Sequence, residues 1–169
     1  METLAAIAGR RSIRRYQERP VPEAMVEALL AAAMQAPSAG NAQPWHFVVI
    51  TDRTLLGQVR QINPYAAMAG HAPLAILVCA ELACERFPGN WVLDCAAAVE
   101  NLLLAAQDLG LGAVWTGIYP ERARMDGFRL LFGLPEGVLP HTLVPVGFPD
   151  QALPAEQRFR PERVHRDRW

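Results

Sequence analysis

Lysine is missing from this chain altogether. All 16 basic residues are arginines, set against 17 acidic residues, for a formal net charge of −1. So even a balance argues against a general nucleic-acid binder or a polybasic membrane-surface protein. It also means that any cation at a functional site is a planar, permanently charged guanidinium. Cysteine is scarce: Cys79, Cys84 and Cys95 make an odd count with no paired CxxC spacing, which excludes a disulfide framework and a zinc site. His46, His71, His141 and His165 are scattered without metal-ligand spacing, so no metal is expected. Long hydrophobic runs are missing too. The most apolar stretch, CAAAVENLLLAAQDLGLG, is interrupted by Glu100, Asn101, Gln107 and Asp108 and is too polar to span a bilayer. The amino end has no basic segment leading into an apolar core, so no secretory signal is expected and a cytoplasmic location is. No glycine-rich dinucleotide fingerprint follows a strand.

What is present is a chain of 169 residues, half of them apolar, enough for one domain over 1–169 with its own core. Periodicity predicts helices over residues 1–9, within VPEAMVEALLAAAMQAP, over 53–61, over 91–109 and near 121–133. The helix at 91–109 is apolar nearly all round, as befits the centre of a core or a subunit interface. Apolar, β-branched runs predict strands in WHFVVITD, APLAILVCA, GAVWTGIY and HTLVPVGFP. In the last of these, Pro145 suggests an edge position or a bulge. Helices alternating with strands give an α/β or α+β sandwich. Residues 149–169 hold three prolines, five arginines and few core formers, and are expected to form an extended arm that packs on something else, such as a partner subunit.

The charge is not evenly spread. RRSIRRY puts Arg10, Arg11, Arg14 and Arg15 within seven residues, beside Ser12 and Tyr16. On a helix, positions 10 and 14 share one face and 11 and 15 another. One pair with Ser12 can converge on an anion, since guanidinium forks suit phosphate oxygens. A solvated basic face, pairing with Glu18 and Glu23, or a polyanion contact would use the same residues. APSAGNAQPW joins a helix to a strand through small residues that let backbone approach a ligand closely, with Ser38, Asn41 and Gln43 as uncharged donors and acceptors; a plain turn has the same composition. Gly117 follows Thr116 near a strand end, where a bare backbone amide can face a flat ring.

Taken in order, RRSIRRY, APSAGNAQPWHFVVI, APLAILVC, ENLLLAAQDLGLGAVWTGIYP, LVPVGFP and RFRPERVHRDRW resemble the nitroreductase family of FMN-dependent oxidoreductases, in its compact form and over nearly the whole length. The resemblance implies an α+β fold, with a mainly antiparallel central sheet flanked by helices, in an intertwined homodimer with an extended C-terminal arm. It implies that Arg10 and Ser12 bind the FMN phosphate with Arg11 beside them. Arg14 would reach the ribityl chain and the N1/O2 edge, where a fixed cation stabilises the negative charge that reduction brings. Pro37, Ser38, Ala39 and Asn41 would complete the site of the second subunit, with one hydroxyl fewer than relatives that carry a polar residue in place of Ala39. The backbone of Thr116 and Gly117 would face flavin N5 and O4. Arg158, with Arg160 as the fallback, would contact the phosphate.

The implied cycle is ping-pong, from NAD(P)H through flavin N5 to a flat acceptor such as a nitroaromatic or quinone, with no catalytic side chain. A flavin dehydrogenase or flavin-destroying relative, and a non-catalytic FMN-binding redox module, are the alternative readings. The remaining residues are given structural roles. Tyr16, Trp45, Met68 and Cys79 are read as packing. Asp94, Glu100 and Asp108 are read as helix-end, interface or solvent-facing acids rather than acid–base catalysts.

Overall fold

A computed structural model of the chain describes residues 2–154 and 156–169. In chain order the elements are α1 (Thr3–Gly9), α2 (Glu23–Met34), β1 (Trp45–Ile50), α3 (Arg53–Ile62), β2 (Leu74–Glu81), α4 (Trp91–Asp108), β3 (Gly112–Ala113), β4 (Thr116–Gly117), α5 (Arg122–Phe132) and β5 (Val138–Gly147). Short 3-10 turns occupy Ala39–Asn41, Pro64–His71, Leu82–Cys84 and Pro161–Arg163.

Local chemistry sets the boundaries. Asp52 caps α3, its carboxylate accepting the N–H groups of Thr54 and Leu55 at 2.7 and 3.1 Å. Gly133, at φ 62°, closes α5 in the left-handed conformation that glycine adopts without penalty. Asn63 caps the Pro64–His71 turn, its Oδ1 accepting the Tyr65 N–H at 3.2 Å.

The sheet runs β1-β2-β5-β3, with β4 also on β5, and every pairing between named strands is antiparallel. β2 is central and buried from Leu74 to Ala80, a continuous apolar run because both faces are covered. Alternate β2 side chains go to opposite faces. Ile76, Val78 and Ala80 meet Val26 and Leu29 of α2 and Val99 and Leu102 of α4, while Ala75, Leu77 and Cys79 meet Leu56 and Val59 of α3 and Phe128 of α5. The result is the α+β sandwich expected from the motif order.

Two expectations about strands change. GAVWTGIY is not one strand but two short ones separated by Val114 and Trp115. Pro145 does not lie on an edge, since β5 pairs on both sides, and the irregularity in its ladder falls opposite Val78 and Cys79 instead. Proline is tolerated at 145 because it stands opposite the break between β3 and β4, where no ladder bond is lost. Its carbonyl accepts the Tyr16 hydroxyl at 3.2 Å. The tail beyond Gln151 is irregular apart from one 3-10 turn, and its described residues are solvent-exposed, Trp169 at 99%.

Candidate anion and ring site

After α1 the backbone turns into an extended segment that runs beside the sheet. Ser12 forms a parallel bridge with Ala113, and Ile13 N–H donates to the Ala113 carbonyl at 3.0 Å. The seven-residue arginine motif is therefore not helical. Ile13 and Tyr16 go inward against Ala72 and Met68, and the Tyr16 hydroxyl donates to the Ile13 carbonyl at 2.6 Å. Burial pushes the Tyr16 hydroxyl pKa up, against a smaller opposing pull from Arg14.

Arg10, Arg11, Ser12 and Arg14 together line a cavity of about 250 Å³, and Leu153 and Arg158 of the arm close it. Four guanidiniums and a hydroxyl thus converge from sequence positions almost 150 residues apart. Arg158, and not Arg160, belongs to this set. The compensating acids are few. Arg10 lies 3.5 Å from Glu100, and Glu156 bridges Arg11 and Arg158, with its Oε2 accepting from Arg158 Nε at 3.0 Å. Those two guanidiniums hold the Glu156 pKa down at about 2. Arg14 makes only a long 3.4 Å contact to the Ser12 carbonyl and has no carboxylate partner among the described residues. A net excess of cation remains, and its donor chemistry fits a phosphate.

The chain then proceeds from Ala113, beside Ser12, to Gly117, an interval of about 13 Å of extended backbone. The Thr116 hydroxyl turns into the sheet and donates to the Leu143 carbonyl at 2.6 Å. Ile118 N–H donates to the His141 carbonyl at 3.2 Å. Hydrogen-bonded pairs alternate along an antiparallel ladder, so the Gly117 amide between them points away from β5. A Cβ built on Gly117 would meet nothing nearer than the Tyr119 carbonyl oxygen at 3.8 Å. Glycine is not needed there for internal packing. It leaves a bare backbone surface, which suits a flat ring seated against the strand. Beyond it an aromatic group gathers on His141: Trp91 at 6.0 Å, Trp115 at 5.6 Å and Tyr119 at 6.4 Å between ring centres. Burial lowers the His141 pKa to about 4, so the imidazole is neutral at pH 7.

Pro37, Ser38, Ala39 and Asn41 do not line the arginine cavity. Their loop is held near the start of α4. Ala39 N–H donates to Oδ1 of the buried Asp94 at 2.9 Å, Ser38 Oγ accepts the Gln43 N–H at 3.0 Å, and Gly40, Asn41 and Gln43 all have positive φ. Gly9, next to the arginine motif, instead packs against Gln107. About 20 Å of helix separates Asp94 from Gln107.

Three polar residues at these positions carry no signal in the sequence. Asp94 anchors the loop, Glu156 spans two site arginines, and Asn63 donates from Nδ2 to the Gly117 carbonyl at 3.1 Å. Among the described residues no group of three His, Cys, Asp or Glu side chains is arranged to hold a metal, and no helix is long and apolar enough to cross a membrane.

Known proteins share the sequence pattern and the fold. The model of the nitroreductase family matches residues 7–75 and 59–148. A protein of Methanothermobacter thermautotrophicus, provisionally named NADH dehydrogenase/NAD(P)H nitroreductase, is 47% identical over all of this chain and 88% of its own. The crystal structure of a Parabacteroides distasonis protein with the same provisional name superposes with a TM-score of 0.95 at 38% identity, covering 99% of this chain and 98% of that one. A provisionally named nitroreductase of Desulfovibrio desulfuricans, solved in complex with FMN, gives 0.85 at 29% identity over 100% of this chain and 98% of that one.

Proposed function

The chain belongs to the nitroreductase family, and from that premise we propose how its own residues divide the work of an NAD(P)H-dependent oxidoreductase with FMN as cofactor. Bound FMN supplies the redox chemistry, taking reducing equivalents from NAD(P)H and passing them to a second substrate. Arg10, Arg11, Ser12 and Arg158 hold the phosphate. Arg14, the guanidinium without a carboxylate partner, faces the ribityl chain and the pyrimidine edge of the ring. The bare Thr116–Gly117 backbone lies against the ring itself. No side chain of the protein acts as nucleophile or dedicated acid.

The observation that carries this reading is the convergence of four guanidiniums and Ser12 on one cavity, a short run of backbone away from the glycine that leaves room for a ring. The active form is a homodimer in which the partner's loop, equivalent to Pro37–Asn41, completes the site. Two features support this: the loop, held at Asp94, does not line the cavity of its own chain, and Leu4, Ile7, Met34 and Phe159 leave large apolar side chains exposed. The cycle is ping-pong and the acceptor is a flat, electron-poor molecule of the nitroaromatic or quinone class.

Titration of the purified protein with FMN, followed by anaerobic mixing with NADH or NADPH and then with a nitroaromatic, tests the reading. The expected results are saturable quenching of flavin fluorescence, bleaching of the visible flavin band by nicotinamide, and its recovery on adding the acceptor. Arg14→Ala should weaken FMN binding roughly tenfold to a hundredfold, the range for losing a hydrogen bond to a charged group. A wild-type protein that ignores FMN sinks the proposal, and unchanged affinity in the variant removes Arg14 from the site.

A further inference from the structure

Asn63 is fully buried, yet it is part of no core cluster and no ion pair. Its carboxamide is used at both ends. Oδ1 accepts the Tyr65 N–H at 3.2 Å, which fixes the orientation of the amide and turns Nδ2 toward the Gly117 carbonyl at 3.1 Å. Arg124 approaches the same oxygen, Nη1 to O at 3.4 Å, with its guanidinium carbon 5.3 Å from the centre of the Tyr65 ring. Asn63 lies 54 residues from Gly117 in sequence, so one side chain links the turn at 64–71 to the edge strand β4.

The Gly117 carbonyl needs such a partner. Gly117 is at the outer edge of the sheet, paired only with β5, and a glycine without side-chain packing has more conformational freedom than any other residue. β5 holds the inner side of that peptide, through Ile118 N–H to the His141 carbonyl at 3.2 Å, and leaves the Gly117 carbonyl to find its partner on the outer side. A buried donor on the carbonyl, with a cation behind it, holds that peptide in one orientation and thereby holds the neighbouring amide outward.

We infer that Asn63, with Arg124 behind it, is the positioning residue that locks the Gly117 backbone against the flavin ring and so sets how strongly the site favours the reduced cofactor. The inference rests on the FMN reading above. A backbone donor fixed in advance stabilises charge developing on a bound ring without reorganising, whereas a free peptide must first be ordered. The role is one of orientation, since the atom that Asn63 reaches is the Gly117 carbonyl.

Asn63→Ser separates the two functions of the side chain. Serine still accepts the Tyr65 N–H as a cap but is too short to span to Gly117. Asn63→Asp keeps the shape and the cap and replaces the donor with an acceptor. FMN affinity, the flavin visible spectrum and the two-electron midpoint potential would be measured on wild type and both variants, with unfolding midpoints as a check on the fold. The expected result for Asn63→Ser is a native-like unfolding transition with a three- to tenfold shift toward oxidised flavin, about 15–30 mV to lower potential. Asn63→Asp should shift the same way by at least as much. A potential unchanged in a folded, FMN-loaded Asn63→Ser protein overturns the inference and leaves the FMN reading standing. Failure of wild type to bind FMN overturns both. Should Asn63→Ser fail to fold, an unchanged potential in Asn63→Asp is the overturning result.

Discussion

His141 is a single side chain whose environment has a measurable consequence for the whole chain. It is 4% exposed, hydrogen-bonded through Nδ1 to the Thr142 hydroxyl, and surrounded by Trp91, Trp115 and Tyr119. Its folded pKa is lowered to about 4 from an ordinary 6.5. The unfolded chain therefore takes up a proton at higher pH than the folded one. The contribution to stability is fully present above pH 6.5 and is lost as pH falls through the window to about 4. Unfolding free energy should drop by about 2 kcal/mol between pH 7 and pH 5 from this residue alone. Denaturant titrations at the two pH values measure the drop. His141→Phe, which keeps a ring in the cluster, should flatten that difference, and an unaltered pH dependence in the variant would clear His141 of the effect.

The same scale explains what was legible in the sequence. Four arginines in seven residues mark a candidate anion site because the chemistry is repeated locally, and three of them line one cavity. Asn63, Asp94 and Glu156 announce nothing, because each acquires meaning from a partner 54, 55 or 145 residues away. Asp94 reads as an ordinary acid near a helix start, and only the fold reveals that it is buried beneath the Ala39 amide.

Among the elements, the helices and the central strand were readable from spacing and composition, since β2 is an unbroken apolar run and α3 and α5 carry their own stop and start signals. The edge of the sheet was not. β3 and β4 have two residues each, too short for any periodicity, and they exist because β5 offers them a ladder. Their two glycines are chemically alike and structurally opposite. A Cβ on Gly112 would come within 2.5 Å of Ile13, whereas one on Gly117 would meet only the Tyr119 carbonyl oxygen, at an ordinary contact distance of 3.8 Å. Gly112→Ala should therefore cost about 1–3 kcal/mol of stability through overpacking. Gly117→Ala should stay within about 0.5 kcal/mol of wild type yet bind FMN more weakly. Thermal unfolding and FMN titration on the two variants give opposite patterns if β4 faces the ring. Equal loss of stability in both would mean that Gly117 is a packing glycine after all.

At the scale of the whole molecule the arm stands apart. Residues 148–150 are strapped to the body through Gln17 N–H to the Phe148 carbonyl and Asp150 N–H to the Arg15 carbonyl, both 2.9 Å. Beyond Gln151 the arm's contacts with the body centre on the arginine cavity, and its Phe159 and Trp169 are bare. A chain ending at Gln151 should keep its unfolding midpoint within a few degrees, lose FMN affinity at least tenfold and elute as a smaller species. Circular dichroism, flavin titration and light scattering test the three parts, and undiminished FMN binding would exclude Arg158 from the phosphate site.

With the phosphate seated as proposed, the carboxylate that the arm lays between Arg11 and Arg158 would make cofactor loading a trade of one anion for another. Glu156 is a counter-ion that the chain supplies to itself, keeping clustered cations electrically quiet while no phosphate is bound. Dissolved salt screens the resident carboxylate as well as the incoming group. The ionic-strength dependence of loading therefore follows the difference between two anions and is shallower than the number of arginines implies.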